Sequence, residues 1–228
     1  MRILKDTFYL FFPKICTTCS SRLLQTEDFI CTQCRHDLPI ICYTYYQKNK
    51  IAAIFYGRIP VEKATSFLYF YKDGKVQQLI HQLKYKGKQE IGSFIGKWFG
   101  QNLKKSNKFT DIDYIIPVPL HPNKLKNRGY NQLTTFGKSL SSILNIPYKT
   151  GILLKVNTSK TQTYKKRFER FSDNETKFQI SDTAFLENKH ILLIDDVITT
   201  GATLEACSLE LLKTKNIKIS IATIAYTI

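Results

Sequence analysis

The chain has 228 residues, of which 43% are hydrophobic and 13% aromatic, enough for one substantial domain and a small appended unit. This composition excludes a disordered chain, and no apolar run approaches the roughly 18 residues of a membrane span. The 34 Lys and Arg against 18 Asp and Glu give a formal net charge of +16. Such a surface attracts phosphorylated metabolites or nucleic acid, although solvated surface charge explains the excess equally well.

The first thirteen residues predict a short docking helix. Leu4, Phe8, Phe11 and Phe12 recur at helical spacing, and Pro13 ends the pattern. The apolar stretch is too short for a signal peptide, and no small-residue cleavage site follows it. We therefore expect a cytoplasmic protein.

Five of the six cysteines fall within residues 16–42. Four of them form two C-x-x-C pairs separated by eleven residues: Cys16, Cys19, Cys31 and Cys34. Each pair can offer two thiolates from one turn, and two such turns complete a tetrahedral structural zinc site. Redox-active pairs are the rival interpretation, but they usually occur singly beside a βαβ unit. The spacing predicts a zinc-ribbon-like module in residues 1–45, whose stability comes largely from the metal.

Three further residues have side chains of a type that binds zinc. Cys42 is close enough in sequence to substitute as a zinc ligand, but a buried apolar role is the simpler interpretation. His36 is also within reach, although four thiolates already fill such a site. Cys207 falls on the apolar face of a predicted helix and is expected in the core.

Residues 46–228 alternate between the periods of strands and helices, which predicts a second domain. The predicted strands are 51–57, 64–71, 113–120, 191–195 and 217–226, and the predicted helices are 75–87, 91–99, 133–144 and 204–212. A basic loop is expected after the strand 113–120. This order predicts an α/β fold with a mostly parallel sheet and helices on both faces.

The segment 191–203, ILLIDDVITTGAT, carries the strongest chemical signal. Asp195 and Asp196 end a strand, where open α/β folds bind ligands, and their carboxylates can accept from a vicinal diol. The glycine turn that follows can present N–H groups and threonine hydroxyls to a phosphate. Together they suit a ribose 5-phosphate. A buried strand followed by a helix capped by Thr203 is the simpler alternative, but it does not explain the acidic pair.

This segment resembles the 5-phosphoribosyl 1-pyrophosphate (PRPP) signature of type I phosphoribosyltransferases. The resemblance implies that Asp195 and Asp196 hold the ribose hydroxyls, and it implies the type I fold. It assigns the 5-phosphate to Thr199, Thr200, Gly201, Ala202 and Thr203. The resemblance extends to the ComF family, whose proteins are associated with DNA uptake in naturally competent bacteria. The segments that resemble this family follow one another in the same order along the chain: the cysteine pairs, then residues 81–87, 117–120, 126–132 and 161–163.

PRPP also carries a pyrophosphate, which binds together with Mg²⁺. Two basic segments of the chain are candidates for binding this pyrophosphate. The resemblance assigns it to the loop containing Lys126, Arg128 and Gly129, where an arginine fork suits a phosphate. Lys84 at a helix end is a further candidate. For both segments, solvated or helix-dipole roles are the alternatives.

A polar stretch around Lys165, Lys166 and Arg167 corresponds to the flexible hood of type I enzymes, or is a disordered loop. His121 is interpreted as incidental and His190 as a surface residue. No residue is singled out as catalytic.

Three functions follow. The first is phosphoribosyl transfer, in which pyrophosphate is displaced at ribose C1. The second is a PRPP-binding factor without turnover that acts on single-stranded DNA and meets DNA-uptake proteins. The third is a zinc-containing DNA binder that does not use PRPP. The positive charge and the aromatic residues are compatible with both DNA-binding functions, but they do not distinguish one from the other.

Overall fold

The computed structural model describes residues 11–41, 49–156 and 177–228. Several predictions lie outside these residues: the first ten positions of the N-terminal helix, Cys42, and the hood candidates Lys165, Lys166 and Arg167. Phe11 and Phe12, at the described end of the predicted helix, are both exposed.

The centre of the fold is a four-stranded parallel sheet. Its strands are β1 (Lys63–Phe70), β2 (Tyr114–Pro117), β5 (His190–Ile198) and β6 (Lys218–Thr227), in the order β1-β6-β5-β2. Residues 191–194 of β5 are fully buried. A continuous apolar run is typical of a strand covered on both faces. The mostly parallel sheet is confirmed.

The helices pack around this sheet. They are α1 (Thr32–His36), α2 (Lys50–Ala53), α3 (Lys75–Tyr85), α4 (Glu90–Ser106), α5 (Pro122–Arg128), α6 (Leu133–Leu144) and α7 (Ala202–Leu211). In α3 the buried side chains recur at helical spacing: Val76, Leu79, Ile80 and Leu83. In the part of the chain that the structure describes, no helix is long and apolar enough to cross a membrane.

Two predicted elements are wrong. Residues 51–57 form α2 and turns instead of a strand, because the Asn49 side chain accepts from the N–H groups of Ile51 and Ala52 at 3.1 and 3.2 Å. The basic loop contains α5, which begins at a cap where the His121 ring accepts from the Asn123 N–H. His121 is therefore a helix cap, a role that its interpretation as incidental missed.

A small antiparallel pair was not predicted. β3 (Leu153–Val156) pairs with β4 (Lys177–Ile180), and β4 packs against α7. The two strands flank the undescribed residues 157–176. Both are only four residues long, too short for their period to stand out in a polar stretch.

His190 is buried, so its interpretation as a surface residue is wrong. It begins β5, and its ring contacts Asp111 at 3.2 Å and Ser220 at 2.9 Å. Although the trio resembles a catalytic triad, Ser220 is fully buried in β6 and no substrate reaches it. The cluster ties the amino ends of two strands to the loop before β2.

A stripe of glycines brings α4 against α6. Gly92, Gly96 and Gly100 recur every fourth residue on the buried face of α4. A Cβ atom at Gly96 would lie 2.6 Å from the Phe136 carbonyl oxygen, and one at Gly100 would lie 3.0 Å from the Ile143 Cβ. The absence of these Cβ atoms lets the two helices approach closely, which fixes α6 beneath the site described below.

We predict that Gly96→Ala destabilises the protein by about 1–3 kcal/mol, because the overpacked interface outweighs the roughly 1 kcal/mol gain in helix propensity. Thermal unfolding measures the change. Lys97→Ala, at an exposed neighbour on the same helix, is the control and is expected to stay within about 0.5 kcal/mol of wild type. A more stable Gly96→Ala variant would contradict the packing described.

Candidate functional site

The acidic pair lies near the carboxyl end of β5, which continues to Ile198 instead of ending at the pair as predicted. Asp196 is buried, and both of its carboxylate oxygens have partners. Oδ1 accepts from the Lys84 ammonium at 2.7 Å and Oδ2 from the Gln132 amide at 2.6 Å. The predicted candidates Lys84 and Asp196 are therefore in direct contact, although 112 residues separate them.

Asp195 is electrostatically distinct from its neighbour. One of its oxygens accepts from the Asp196 backbone N–H at 2.8 Å. The residue as a whole is half-buried. Burial, followed by the charge of Asp196, raises the pKa of Asp195 to about 8, while the charges of Lys84 and Lys155 act in the opposite direction. Lys155, on β3, was not among the predicted site residues.

The raised pKa predicts a pH-dependent stability. Between about pH 4 and pH 8 the folded protein keeps a proton on Asp195 that the unfolded chain has released, so stability falls as the pH rises through this window. Asp195→Asn removes this dependence. We expect the variant to equal wild type near pH 4 and to exceed it increasingly towards pH 8, by at most about 1.4 kcal/mol per pH unit. A difference in unfolding free energy that does not vary with pH would contradict this.

The glycine turn after β5 has the geometry of an anion cradle. Thr199 and Thr200 are exposed, Gly201 has a φ of 77°, and α7 begins at Ala202. Thr203 therefore lies in the first turn of α7 and is not its cap, which excludes the simpler interpretation of this residue. The successive N–H groups at a helix N-terminus favour an anion.

A segment far away in sequence supports this turn. The Arg58 guanidinium donates to the Thr200 carbonyl at 2.8 Å and pairs with Glu205 of α7. Ile54 lies beneath the turn, where a Cβ atom at Gly201 would come within 2.8 Å of its Cγ2. Sequence reasoning missed Arg58, because 142 residues separate it from Thr200 and no local pattern marks it.

A basic pocket of about 310 Å³ opens beside the acidic pair. Its lining residues are Lys84, Tyr85, Gly87, Lys124, Asn127, Arg128 and Tyr130. Gly129 ends α5 with a φ of 77°, and Lys126 is exposed on α5 without lining the pocket. Two of the predicted pyrophosphate candidates, Lys84 and Arg128, thus face one cavity.

Hydrogen bonds hold the walls of this pocket together. Arg128 donates to the side-chain carbonyl oxygen of Gln132 and lies over the Tyr85 ring at 5.2 Å, while the Tyr130 hydroxyl donates to the Leu83 carbonyl. Gln132 therefore bridges Arg128 and Asp196. Sequence reasoning did not single out Gln132, whose role depends on contacts with two other elements.

A larger cavity, about 570 Å³, lies between β1 and α4. Its walls are mainly apolar, including Phe67, Phe99 and Leu103, and it contains none of the predicted site residues. Its lining also includes Ile41 and Asn49, which are the described residues on either side of the stretch 42–48 in the sequence. We therefore place the candidate site at the acidic pair, where charged and polar side chains converge, and not in this larger apolar cavity.

The four predicted metal ligands form a compact cluster. The Sγ atoms of Cys16, Cys19, Cys31 and Cys34 all lie within 4.8 Å of one another, and those of Cys19 and Cys31 are 3.7 Å apart. Zn–S bonds of about 2.3 Å in a tetrahedron place the sulfur atoms about 3.8 Å apart, so the donor set fits zinc. The cluster can hold a metal ion.

Backbone geometry also suits this cluster. The Cys31 N–H donates to the Cys16 sulfur at 3.3 Å, and the Cys34 N–H donates to the Cys31 sulfur at 3.4 Å. Burial favours the neutral Cys16 thiol, but hydrogen bonds from Thr18 and from backbone N–H groups outweigh it and lower its pKa to about 6. His36, which lies within reach in the sequence but was not expected as a ligand, is exposed, and its ring lies 3.4 Å from the Asp37 carboxylate. Cys207 is buried in the core, as predicted, and burial raises the pKa of its thiol.

The cysteine unit packs against the α/β domain. The Arg35 guanidinium lies 4.8 Å from the centre of the Trp98 ring, and Asp37 pairs with Lys75 at 2.6 Å. The chain then continues along β1, where the Ile41 N–H donates to the Phe67 carbonyl at 2.9 Å. The predicted boundary between residues 45 and 46 falls in the undescribed stretch and stays a prediction.

Comparisons with known proteins match this architecture. The family model "Phosphoribosyl transferase domain" matches residues 134–227. DNA utilization protein YhgH of Shigella flexneri is 25% identical over 197 residues, which are 83% of this chain and 80% of that protein. Competence protein ComFC of Bacillus subtilis (strain 168) is 26% identical over 197 residues, 84% and 75% of the two chains. Competence protein F of Haemophilus influenzae is 33% identical over 110 residues, 47% and 48%.

The chain therefore carries a phosphoribosyl transferase domain of the type I fold, with a four-cysteine cluster preceding it. It is related to the ComF competence proteins and to the YhgH DNA utilization proteins, which confirms the resemblance of its motifs. The family model includes the acidic pair and the glycine turn, but it includes neither Lys84 and Arg128 nor the four clustered cysteines.

Proposed function

We propose that the protein binds PRPP together with Mg²⁺ at the carboxyl end of its sheet. One observation carries this proposal: the acidic pair lies between a glycine turn that opens a helix and a pocket lined by Lys84 and Arg128. These three parts match the order of groups in PRPP, which are a 5-phosphate, a ribose diol and a pyrophosphate.

Each part has a separate task in this proposal. Asp195 and Asp196 accept from the ribose hydroxyls, and the N–H groups of residues 199–203 bind the 5-phosphate. Lys84 and Arg128 bind the pyrophosphate, and Gly129 lets the backbone turn beside it. Mg²⁺ neutralises part of the pyrophosphate charge when it is bound.

The reaction that suits this arrangement is displacement at ribose C1. The bond from C1 to the pyrophosphate oxygen breaks, and an acceptor nucleophile forms the new bond to C1. The chain contributes positioning and charge, because its cations stabilise the departing pyrophosphate and its carboxylates fix the sugar. No covalent enzyme intermediate is required.

The names of the relatives add a cellular role to the proposal. We propose that the protein acts in the handling of DNA during uptake, in the cytoplasm, with the four thiolates holding a structural zinc ion. Four-thiolate sites without an open position are typical of structural zinc. The zinc unit then keeps residues 11–41 folded against β1 and α4.

Calorimetry of PRPP with Mg²⁺ tests the proposed binding. We expect saturable binding to the wild-type protein, and release of pyrophosphate in the presence of a suitable acceptor if turnover occurs. Absence of heat and of any PRPP-dependent rise in the melting temperature would contradict the proposal, because a ligand that binds only the folded state must stabilise it.

Single-stranded DNA binding is a second candidate function. Residues 75–89 and 114–156 contain no Asp or Glu, whereas they contain ten Lys and Arg. Lys86, Lys88, Lys124 and Lys126 are exposed around Tyr85, whose side chain is also exposed. This arrangement suits single-stranded DNA, because the cations can contact its phosphates and the aromatic ring can stack on a base.

We predict that Lys124→Ala/Lys126→Ala lowers the salt dependence of single-stranded DNA binding by about 1.4 in the slope of log K against log salt, since each lost phosphate contact removes about 0.7. Gel retardation at graded salt measures the slope. Lys104→Ala/Lys105→Ala, at the far end of α4, changes the charge equally and is expected to leave the slope unchanged. Equal reductions in both variants would assign the binding to bulk charge.

A further inference from the structure

Each carboxylate oxygen of Asp196 already has one donor before any ligand binds. Lys84 occupies one carboxylate oxygen at 2.7 Å and Gln132 occupies the other at 2.6 Å. The Asp196 side chain is only 9% exposed and that of Lys84 is 21% exposed. Protein atoms cover most of the side chain, so a ribose hydroxyl gains access to Asp196 by displacing one of these two donors.

Lys84 is the donor that is free to leave. Gln132 is 6% exposed, and its side-chain carbonyl oxygen is held by Arg128, so its amide cannot turn away without breaking a second hydrogen bond. Lys84 is at the end of α3 and already lines the basic pocket. Its long side chain can turn from the carboxylate to the pocket by rotation alone.

The described walls of the pocket offer no carboxylate that could replace Asp196 as a partner of Lys84. Residues 75–89 and 114–156, which supply the walls of the pocket, have no carboxylate. Among the described residues, Asp196 is the only acidic group within ion-pair distance of this ammonium. A half-buried ammonium that loses its counter-ion is strongly unfavourable, so an incoming anion in the pocket favours its release.

We propose that Lys84 is a specificity-determining latch, which holds Asp196 closed until the diphosphate of the ligand draws the ammonium away. This inference rests on the proposed binding of PRPP. The diphosphate then performs two tasks, because it binds Lys84 and also frees Asp196 for the ribose diol. A sugar phosphate that lacks the diphosphate meets an occupied carboxylate and binds weakly.

The latch predicts positive cooperativity between two anions. Without it, pyrophosphate and a sugar phosphate in adjacent subsites would repel each other. With the latch, pyrophosphate binds the Lys84 ammonium and so breaks its ion pair with Asp196. The sugar phosphate then binds more tightly, because Asp196 is free to accept from its diol. By linkage, the sugar phosphate tightens pyrophosphate binding by the same factor.

The test uses 1,4-anhydroribitol 5-phosphate, which has the diol and the 5-phosphate but no group at C1. Calorimetry with Mg²⁺ measures its affinity for the full-length wild-type protein with and without saturating inorganic pyrophosphate. We expect pyrophosphate to increase the affinity about tenfold. An unchanged affinity, a weaker one, or no binding with pyrophosphate present would overturn the latch.

Lys84→Met removes the ammonium and keeps the length of the side chain. We expect this variant to bind the anhydro sugar phosphate more tightly than wild type in the absence of pyrophosphate, and to lose the tightening. Lys75→Met is the matched control, because Lys75 lies at the opposite end of the same helix and also pairs with a carboxylate, Asp37. It is expected to keep the wild-type tightening.

The outcomes separate the latch from the proposed function. If PRPP binds wild type but Lys84→Met retains the tightening, the latch is wrong and the PRPP site stands. If PRPP itself does not bind wild type, the proposed function fails. Should Lys84→Met not fold, the wild-type measurement alone decides, since the tightening is required of the native protein.

Discussion

Replacing both Asp195 and Asp196 with Asn is expected to weaken PRPP binding by at least about tenfold, because the hydrogen bond to the charged acceptor Asp196 alone contributes roughly 1.5–3 kcal/mol. The amide nitrogens of Asn would also face donors where the carboxylates accepted. At Asp196 these donors are Lys84 and Gln132, so the network around the pocket loosens as well. Calorimetry with Mg²⁺ and PRPP measures the loss.

The control for this variant is Asp73→Asn. Asp73 is exposed, and its φ of 60° is a left-handed conformation that Asn tolerates well. We expect it to bind PRPP as wild type does. The double variant must also stay folded, which circular dichroism verifies. Unchanged PRPP affinity in a folded double variant would contradict the assignment of the diol to this pair.

Removal of the metal is the second change with a large expected effect. We expect one zinc ion per chain by native mass spectrometry, and unfolding of residues 14–41 when a strong chelator removes it. Structural zinc contributes about 10–16 kcal/mol of apparent binding free energy, and a unit this small has little core of its own. Hydrogen exchange of the backbone amides in residues 14–41 measures the unfolding directly.

Cysteine variants identify the ligands of that metal. Cys34→Ser is expected to lose most of the zinc, because it removes a buried thiolate from the cluster. Cys207→Ala lies in the core of the other domain and is expected to retain one ion per chain. A metal-free wild-type protein with protected amides in residues 14–41 would contradict the proposed structural zinc.

Local chemistry explains why parts of this site could be predicted from the sequence. The acidic pair, the glycine turn and the start of α7 are consecutive in the chain, so one segment contains both the diol acceptors and the phosphate cradle. The cysteine pairs are similar, since each turn positions two sulfur atoms by itself. In both cases the functional groups are neighbours in sequence before they are neighbours in space.

Contacts between elements that are distant in the sequence could not be predicted in this way. Arg58 supports the glycine turn from a segment that alternates like a strand but is folded into α2 and turns by the Asn49 cap. His190 looks like a surface residue until β6 brings Ser220 against it. Gln132 owes its role to Arg128 on one side and Asp196 on the other. Each of these roles depends on tertiary packing that no local pattern encodes.

The structure of the protein in complex with PRPP and Mg²⁺ is the most direct test of the proposed binding site. We predict both ribose hydroxyls within about 3 Å of the Asp195 and Asp196 carboxylates, and the 5-phosphate on the N–H groups of residues 199–203. The pyrophosphate is expected beside Lys84 and Arg128. PRPP bound in the opposite orientation, or away from the end of β5, would contradict this assignment.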